Sequence, residues 1–171
     1  MINCQPKSIL SSDFQLSQET QIAQLSFSWF TETGSVHIGQ DYYKVVKGGM
    51  FSGEWALQNK GEIICIAEKT SAFRRSIEIQ YQGQSYLLKA RSAFGRSMEF
   101  TGPNVKATIE PAHPFTRRAT IAGTLPPFEL SSFAFWLTAL LWRRAQRNNN
   151  CLLYTSPSPR DQRGSRMPSS A

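Results

Sequence analysis

The chain has 171 residues, with 19 lysines and arginines against 12 acidic residues, so its net charge is +7. Hydrophobic residues make up 40% of it and charged residues 18%, which is too apolar for a disordered protein. Three cysteines exclude a disulfide framework, and no apolar run is long enough to predict a membrane span. We therefore expect a mildly basic, cytoplasmic, single-domain protein with no signal peptide.

The composition changes abruptly after Asn150. Residues 151–171 read CLLYTSPSPRDQRGSRMPSSA. Their composition is common in ordinary disordered tails, but they also resemble the in-frame translation of a transposase-type sequencing adapter followed by a flow-cell primer. We interpret them as a non-native, disordered tail and residues 1–150 as the natural domain. Without the tail the chain has 16 basic and 11 acidic residues, so its net charge is +5.

Two cysteines remain in residues 1–150. We expect Cys65, in the apolar run IICIA, to be buried, and Cys4 to lie near a mobile terminus.

From Phe14 to Ile121 the chain shows short β segments separated by turn residues. The predicted strands are 14–16, 22–29, 35–39, 41–46, 54–58, 62–69, 75–81, 84–90, 96–101, 105–110 and 118–122. Asn59–Gly61 and the pair Gln82 and Gly83 are the better hairpin signals, because glycine readily adopts the positive φ of tight turns. The spacing predicts about 11–12 antiparallel strands, closed into a barrel or folded into a sandwich.

A hydrophobic helix is predicted over about residues 129–147, after two prolines that stop the last strand. It is apolar nearly all round, so it is either buried on all sides or embedded in lipid. Its apolar stretch, Leu130–Trp142, is roughly 20 Å long, whereas a bilayer core needs roughly 30 Å. Length therefore favours burial, and the basic residues at its end suit a helix C-terminus or a membrane flank: Arg143, Arg144 and Arg147.

Three segments repeat at a period of 21 residues, and they fit hairpins packed side by side. Each has a phenylalanine two residues before an arginine: Phe73 and Arg75, Phe94 and Arg96, Phe115 and Arg117. The positive charge follows this repeat, since residues 69–118 hold nine basic and three acidic residues. We expect the repeat arginines to project near one rim of the barrel.

Three stretches carry a resemblance to a known family: GEWALQNKGEIICIAEKTSAFRRSIEIQYQGQSYLLKA, PAHPFTRRATI and FAFWLTALLWRRA. Over roughly residues 40–147 the chain resembles bacterial-type members of the tubby-like barrel superfamily, which includes the LURP-one-related proteins and the phospholipid scramblases. The resemblance implies a roughly twelve-stranded barrel wrapped around a C-terminal helix, and binding of lipid head groups through basic residues. Asp13 and Asp41 are the only aspartates in residues 1–150, so calcium-dependent scrambling is not expected.

The sharpest functional hypothesis is a site for anions or anionic lipid head groups, with the protein peripheral to a membrane. Guanidinium groups pair with phosphate in bidentate geometry, and a positive field attracts anionic membranes. The candidate residues are Lys69, Arg74, Arg75, Arg96, Arg117 and Arg118. The alternative is a structural or protein-interaction barrel without a ligand site, in which these side chains pair across strands with Glu78, Glu99 and Glu110.

Other classes of function are weaker. Nucleic-acid binding is not expected, because a charge of +5 comes with no recognisable motif. Enzymatic activity is not expected either, since the sequence spacing of His37 and His113 from nucleophilic and acidic residues matches no catalytic pattern. We expect no metal and no cofactor, because no ligand cluster or glycine-rich phosphate loop occurs, and we expect a monomer.

Overall fold

The structure, a computed structural model, describes residues 1–8, 11–28, 30–49, 53–70, 75–92, 95–113 and 116–153, with side chains as far as Arg147. This part of the chain forms twelve strands and one helix. The strands are β1 (Ile2–Pro6), β2 (Phe14–Gln18), β3 (Gln21–Phe27), β4 (Gly34–Ile38), β5 (Asp41–Lys47), β6 (Glu54–Asn59), β7 (Glu62–Lys69), β8 (Ser76–Tyr81), β9 (Gln84–Ala90), β10 (Met98–Gly102), β11 (Val105–Pro111) and β12 (Ala119–Thr124). The helix α1 (Phe128–Leu153) follows them.

The strands form a closed antiparallel barrel, which confirms the predicted fold class. Each strand pairs with its neighbours along the chain, and β1 pairs with β12 to close the ring. Two-residue turns join the strands at one end of the barrel, which we name the turn end: 19–20, 39–40, 60–61, 82–83 and 103–104. Connections of six or seven residues join them at the other end, the loop end: 7–13, 28–33, 48–53, 70–75, 91–97 and 112–118.

The hairpin turns and the strand alternation agree with the sequence pattern. Lys60 and Gly61 have φ values of 50° and 90°, and Gln82 and Gly83 have values of 49° and 75°, so both turns have the left-handed pair that tight hairpins need. Burial alternates along the strands, as in β8 (Ser76–Tyr81), where the apolar positions are buried and the glutamate and glutamine are exposed. One 21-residue repeat is therefore one strand pair of the barrel.

The first strand, β1, was absent from the predicted set, and the expectation of a mobile terminus around Cys4 was wrong. Ile2 and Cys4 are fully buried and lie opposite Ile121 and Ala119 of β12. Only two apolar positions alternate here before Pro6, so periodicity could not reveal the strand. The strand β1 is buried because it pairs with β12, the last strand of the sheet, and this pairing closes the barrel.

The helix fills the barrel. Phe133, Phe135 and Trp136 are completely buried, and burying each such side chain stabilises the fold by roughly 1.5–3 kcal/mol. Thr138, which is also buried, donates its hydroxyl hydrogen bond to the carbonyl of Ala134 (2.9 Å), so its polar atom is satisfied. A membrane anchor would expose these aromatic rings, and none of the helices in the described part of the chain is long and apolar enough to cross a bilayer.

The helix is also oriented along the barrel. At the turn end the Tyr81 hydroxyl donates to the carboxylate of Glu129, in the first turn of α1 (2.7 Å). Towards the loop end Trp142 Nε1 donates to the carbonyl of Arg96 (2.8 Å). The part of α1 that follows Trp142 therefore emerges at the loop end. The helix starts one residue before the predicted 129–147 and ends six residues after it, so it includes 151–153.

Candidate functional site

The loop end carries the arginines of the barrel. All arginines that the structure describes lie there, either in the long connections or on the end of α1: Arg75, Arg91, Arg96, Arg117, Arg118, Arg143, Arg144 and Arg147. The loop end also holds carboxylates in or within two residues of its connections, but its arginines leave it net positive: Asp13, Glu32, Glu54, Glu68, Glu99 and Glu110. The turn end is net negative, with four carboxylates against two lysines: Glu19, Asp41, Glu62, Glu129, Lys60 and Lys106. The molecule is therefore electrically polar along the barrel axis.

The three repeat arginines occupy equivalent positions, each just before an even-numbered strand, and each reaches the next long connection around the ring. Their guanidinium groups donate to backbone carbonyls there: Arg75 Nη2 to Ser92 (2.7 Å) and Gly95 (2.5 Å), Arg96 Nη1 to Thr116 (2.9 Å), and Arg117 Nη1 to Ser11 (2.5 Å). The third bond spans the closure of the ring, from the connection before β12 to the connection before β2. The repeat therefore ties successive loops together.

Two of these arginines also cover aromatic rings at the mouth of the barrel. The guanidinium carbon of Arg96 lies 4.3 Å from the ring centre of Trp142, and that of Arg117 lies 5.1 Å from the ring centre of Phe14. Both distances are within the range of cation–π attraction. The arginines thus close the apolar core at this end while they keep positive charge at the rim.

The end of α1 adds arginines that the sequence analysis assigned only to a helix terminus or a membrane flank. Arg143 lies over the ring of Phe27 (5.6 Å), and Arg144 lies over the ring of Trp55 (5.0 Å). They join the repeat arginines because the helix runs through the barrel and ends at the same rim. The only available sequence signal was the run of arginines directly after an apolar helix.

Glu32 joins the helix to the barrel wall. Its carboxylate accepts hydrogen bonds from Arg144 Nε (2.8 Å) and Arg144 Nη2 (2.6 Å), and from Lys47 Nζ (2.7 Å). Hydrogen bonding to Arg144 is the largest influence on the carboxyl group, Lys47 adds to it, and together they lower the pKa of Glu32 to about 2. Glu32 therefore stays ionised at neutral pH and holds two of the cations at the rim.

Burial and mutual proximity act on the other rim arginines. Burial lowers the pKa of Arg96, and the nearby charge of Arg117 lowers it further. Burial likewise lowers the pKa of Arg143, with Arg147 and Arg117 as like-charged neighbours. Neighbouring positive charges repel each other, so an anion that binds between them is stabilised by both.

The remaining predicted residues have separate positions. The backbone N–H of Lys69 donates to the carbonyl of Gly53 (2.7 Å), which places the half-buried lysine at the loop end of β7. Arg118 is exposed, and its carbonyl accepts a hydrogen bond from the backbone of Ala112 (2.9 Å). Arg74 lies outside the described residues.

The cross-strand ion pairs of the structural alternative occur only in part. Glu110 pairs with Arg91 (3.0 Å), a residue outside the candidate set, and both side chains are more than half exposed. Glu78 accepts a hydrogen bond from Gln80 (3.0 Å). Arg75, Arg96 and Arg117 hold loop carbonyls instead, because they precede the strands rather than lie within them.

The two histidines lie at different places on the barrel, and both cysteines of residues 1–150 are buried. His113 lies at the loop end in the connection 112–118, where its carbonyl accepts a hydrogen bond from the backbone N–H of Thr116 (3.2 Å). The ring of His37 packs on Tyr42, with ring centres 4.5 Å apart, on the outer face of the barrel. Cys65 is buried as predicted, and burial raises its pKa to about 12. Burial also raises the pKa of Cys4. Within the described ranges, no three histidine, cysteine or acidic side chains are grouped so as to hold a metal ion.

A shallow depression opens at the loop end, and Glu32 and Lys47 form part of its lining. Its lining combines hydroxyl groups, cations and an aromatic ring: Phe30, Thr31, Glu32, Thr33, Lys47, Gly49 and Arg147. Phe30 is 96% exposed, the highest value for a large hydrophobic side chain in the described part of the chain. The rim therefore presents an apolar group next to positive charge.

Searches of protein-family models, curated proteins and solved structures found no match to this chain. The most prominent chemical feature of the barrel is the group of arginines at its loop end.

Proposed function

We propose that the loop end is a docking surface for anionic lipid head groups at a membrane, and that the chain is a member of the tubby-like barrel superfamily. The observation that carries the first proposal is the placement of all described arginines at one end of the barrel. A twelve-stranded antiparallel barrel around one buried C-terminal helix supports the second.

The electrostatics support a surface that binds end-on. Each lysine or arginine close to an anionic membrane contributes about 1 kcal/mol, and the attraction falls off within a Debye length. A rim that concentrates cations therefore gains far more than a barrel with charges spread over its sides. The net negative charge of the turn end favours the same orientation, because that end lies away from the membrane when the loop end faces it.

Exposed arginines are the ones to test, because the repeat arginines also hold loops together. Arg118 and Arg147 are both exposed. Replacing both with alanine removes about 2 kcal/mol of attraction, which corresponds to about a thirtyfold loss of binding. The matched control replaces Lys60 and Lys106 at the turn end, which removes the same charge from the other end of the barrel.

The assay is co-sedimentation with phosphatidylserine-containing vesicles and with neutral phosphatidylcholine vesicles. We expect binding to the anionic vesicles at low salt, weaker binding at physiological salt, and a loss confined to the Arg118→Ala/Arg147→Ala variant. Equal binding to neutral vesicles, an equal loss in the turn-end control, or no binding at low salt would each contradict the proposal.

The competing proposal is a barrel without a ligand site. The carbonyl bonds of Arg75, Arg96 and Arg117 favour it, because they give these side chains a structural role. They do not exclude a second role, since a guanidinium that donates to neutral carbonyls keeps its positive charge. Absence of vesicle binding together with an unchanged fold would favour this second proposal.

A further inference from the structure

Phe30 is displayed by a well-organised connection. It lies between β3 and β4, where Ser28 donates its backbone N–H to the carbonyl of Thr33 (2.8 Å). The Thr31 hydroxyl donates to the Ser28 hydroxyl (2.8 Å) and lies 2.7 Å from the Thr33 hydroxyl. Glu32, the next residue but one, adopts a φ of 52° and is fixed by its three bonds to Lys47 and Arg144. The bonded loop around it thus presents Phe30 to solvent.

An exposed phenylalanine forfeits the free energy that burial would supply, so a partner that covers the ring gains it. The surroundings define the chemistry of that partner. Arg147 lines the same depression as the ring, together with the ion pair of Lys47 and Glu32. Arg96 and Arg117 add positive charge around the barrel mouth. A partner that is apolar at depth and anionic at its surface matches both properties, and an anionic bilayer has this layered structure.

We propose that Phe30 is a hydrophobic anchor that inserts below the head groups of an anionic bilayer, while Arg147, which is exposed, contacts the head groups. This inference rests on the proposed function and adds the inserting residue and the orientation. The barrel then stands on its loop end, and the turn end points away from the membrane.

The same position recurs in the sequence. Phe51 follows Phe30 after 21 residues, and Phe73, Phe94 and Phe115 follow after intervals of 22, 21 and 21. These four phenylalanines lie outside the described residues, so the inference concerns Phe30 alone.

A solvatochromic probe on a single cysteine tests insertion directly. The full chain with Cys151→Ser keeps Cys4 and Cys65, both buried, so a cysteine introduced at residue 30 or residue 63 is labelled alone. Ile63 is the matched control, since it is 56% exposed but lies beside the turn end on the outer face of the barrel. The same probe, nitrobenzoxadiazole, is attached to Phe30→Cys and to Ile63→Cys.

We expect the emission of the probe at residue 30 to shift to shorter wavelength and brighten on phosphatidylserine-containing vesicles, and to be quenched by lipids that carry a shallow nitroxide. The probe at residue 63 should not change. In co-sedimentation, Phe30→Ser should weaken binding about tenfold or more. This loss should be similar at low and physiological salt, whereas the loss from Arg118→Ala/Arg147→Ala should shrink as salt rises.

The outcomes separate the two proposals. If the vesicles bind the protein but the probe at residue 30 does not respond, or the probe at residue 63 responds equally, insertion of Phe30 is wrong and lipid binding stands. If no variant and no wild-type protein binds at low salt, the proposed function is wrong and the anchor is wrong with it.

Discussion

Replacing Glu32 with glutamine should destabilise the barrel by weakening the attachment of the helix to the wall. The carboxylate accepts two hydrogen bonds from Arg144 and one from Lys47, and its side chain is 21% exposed. A pKa of about 2, against an ordinary 4.5, corresponds to an upper limit of about 3 kcal/mol at neutral pH. Because solvent and salt screen a pair at the rim, we expect a loss of about 1–2 kcal/mol.

The pH dependence identifies the carboxylate as the cause. A group whose folded pKa lies below its unfolded pKa stabilises the fold fully above the unfolded value, and this contribution is lost as the pH falls through the folded value. For Glu32 the window runs from about pH 4.5 down to about 2. The wild type should therefore lose its advantage over Glu32→Gln in this window, while other carboxylates affect both proteins equally.

Urea unfolding of both proteins at neutral pH and through this acid range measures the difference. Glu110→Gln is the control, because its pair with Arg91 is more than half exposed and should change stability by no more than about 0.5 kcal/mol. A stability difference for Glu32→Gln that is absent at neutral pH, or that stays constant through the acid range, would refute this account of the site.

Two further predictions concern packing. Gly34→Ala places a methyl group against the carbonyl of Ser26 in the neighbouring strand, so we expect a loss of about 2 kcal/mol or more, seen as a lower urea midpoint; an unchanged midpoint would mean that the wall can move apart. In a Cys151→Ser protein, Cys4 and Cys65 should resist a thiol reagent at neutral pH and react fully in denaturant, because burial raises the pKa of both thiols. Rapid labelling of either in the native protein would contradict the closed barrel.

The sequence predicted the strands from the alternation of apolar and polar residues, and it predicted the helix from a stretch that is apolar nearly all round. It could not predict β1, whose two apolar residues become a strand only through pairing with Ile121 and Ala119 of β12. It located the repeat arginines through their spacing, and it missed Glu32 and Arg144 as partners. These two residues are 112 positions apart, and no local period connects them. Contacts made by closing a ring or by threading a helix depend on the finished topology.

The closure of the barrel by β1 and β12 has a consequence for synthesis on the ribosome. Strand β1 cannot pair with β12 until all twelve strands have been synthesised, and the helix that fills the interior is synthesised after them. Until then the nascent sheet has inward-facing apolar residues without a core and two open edges. Pairing between such distant segments is slow because the intervening chain must first be ordered. The closed barrel can therefore form only after β12 and the helix have been synthesised.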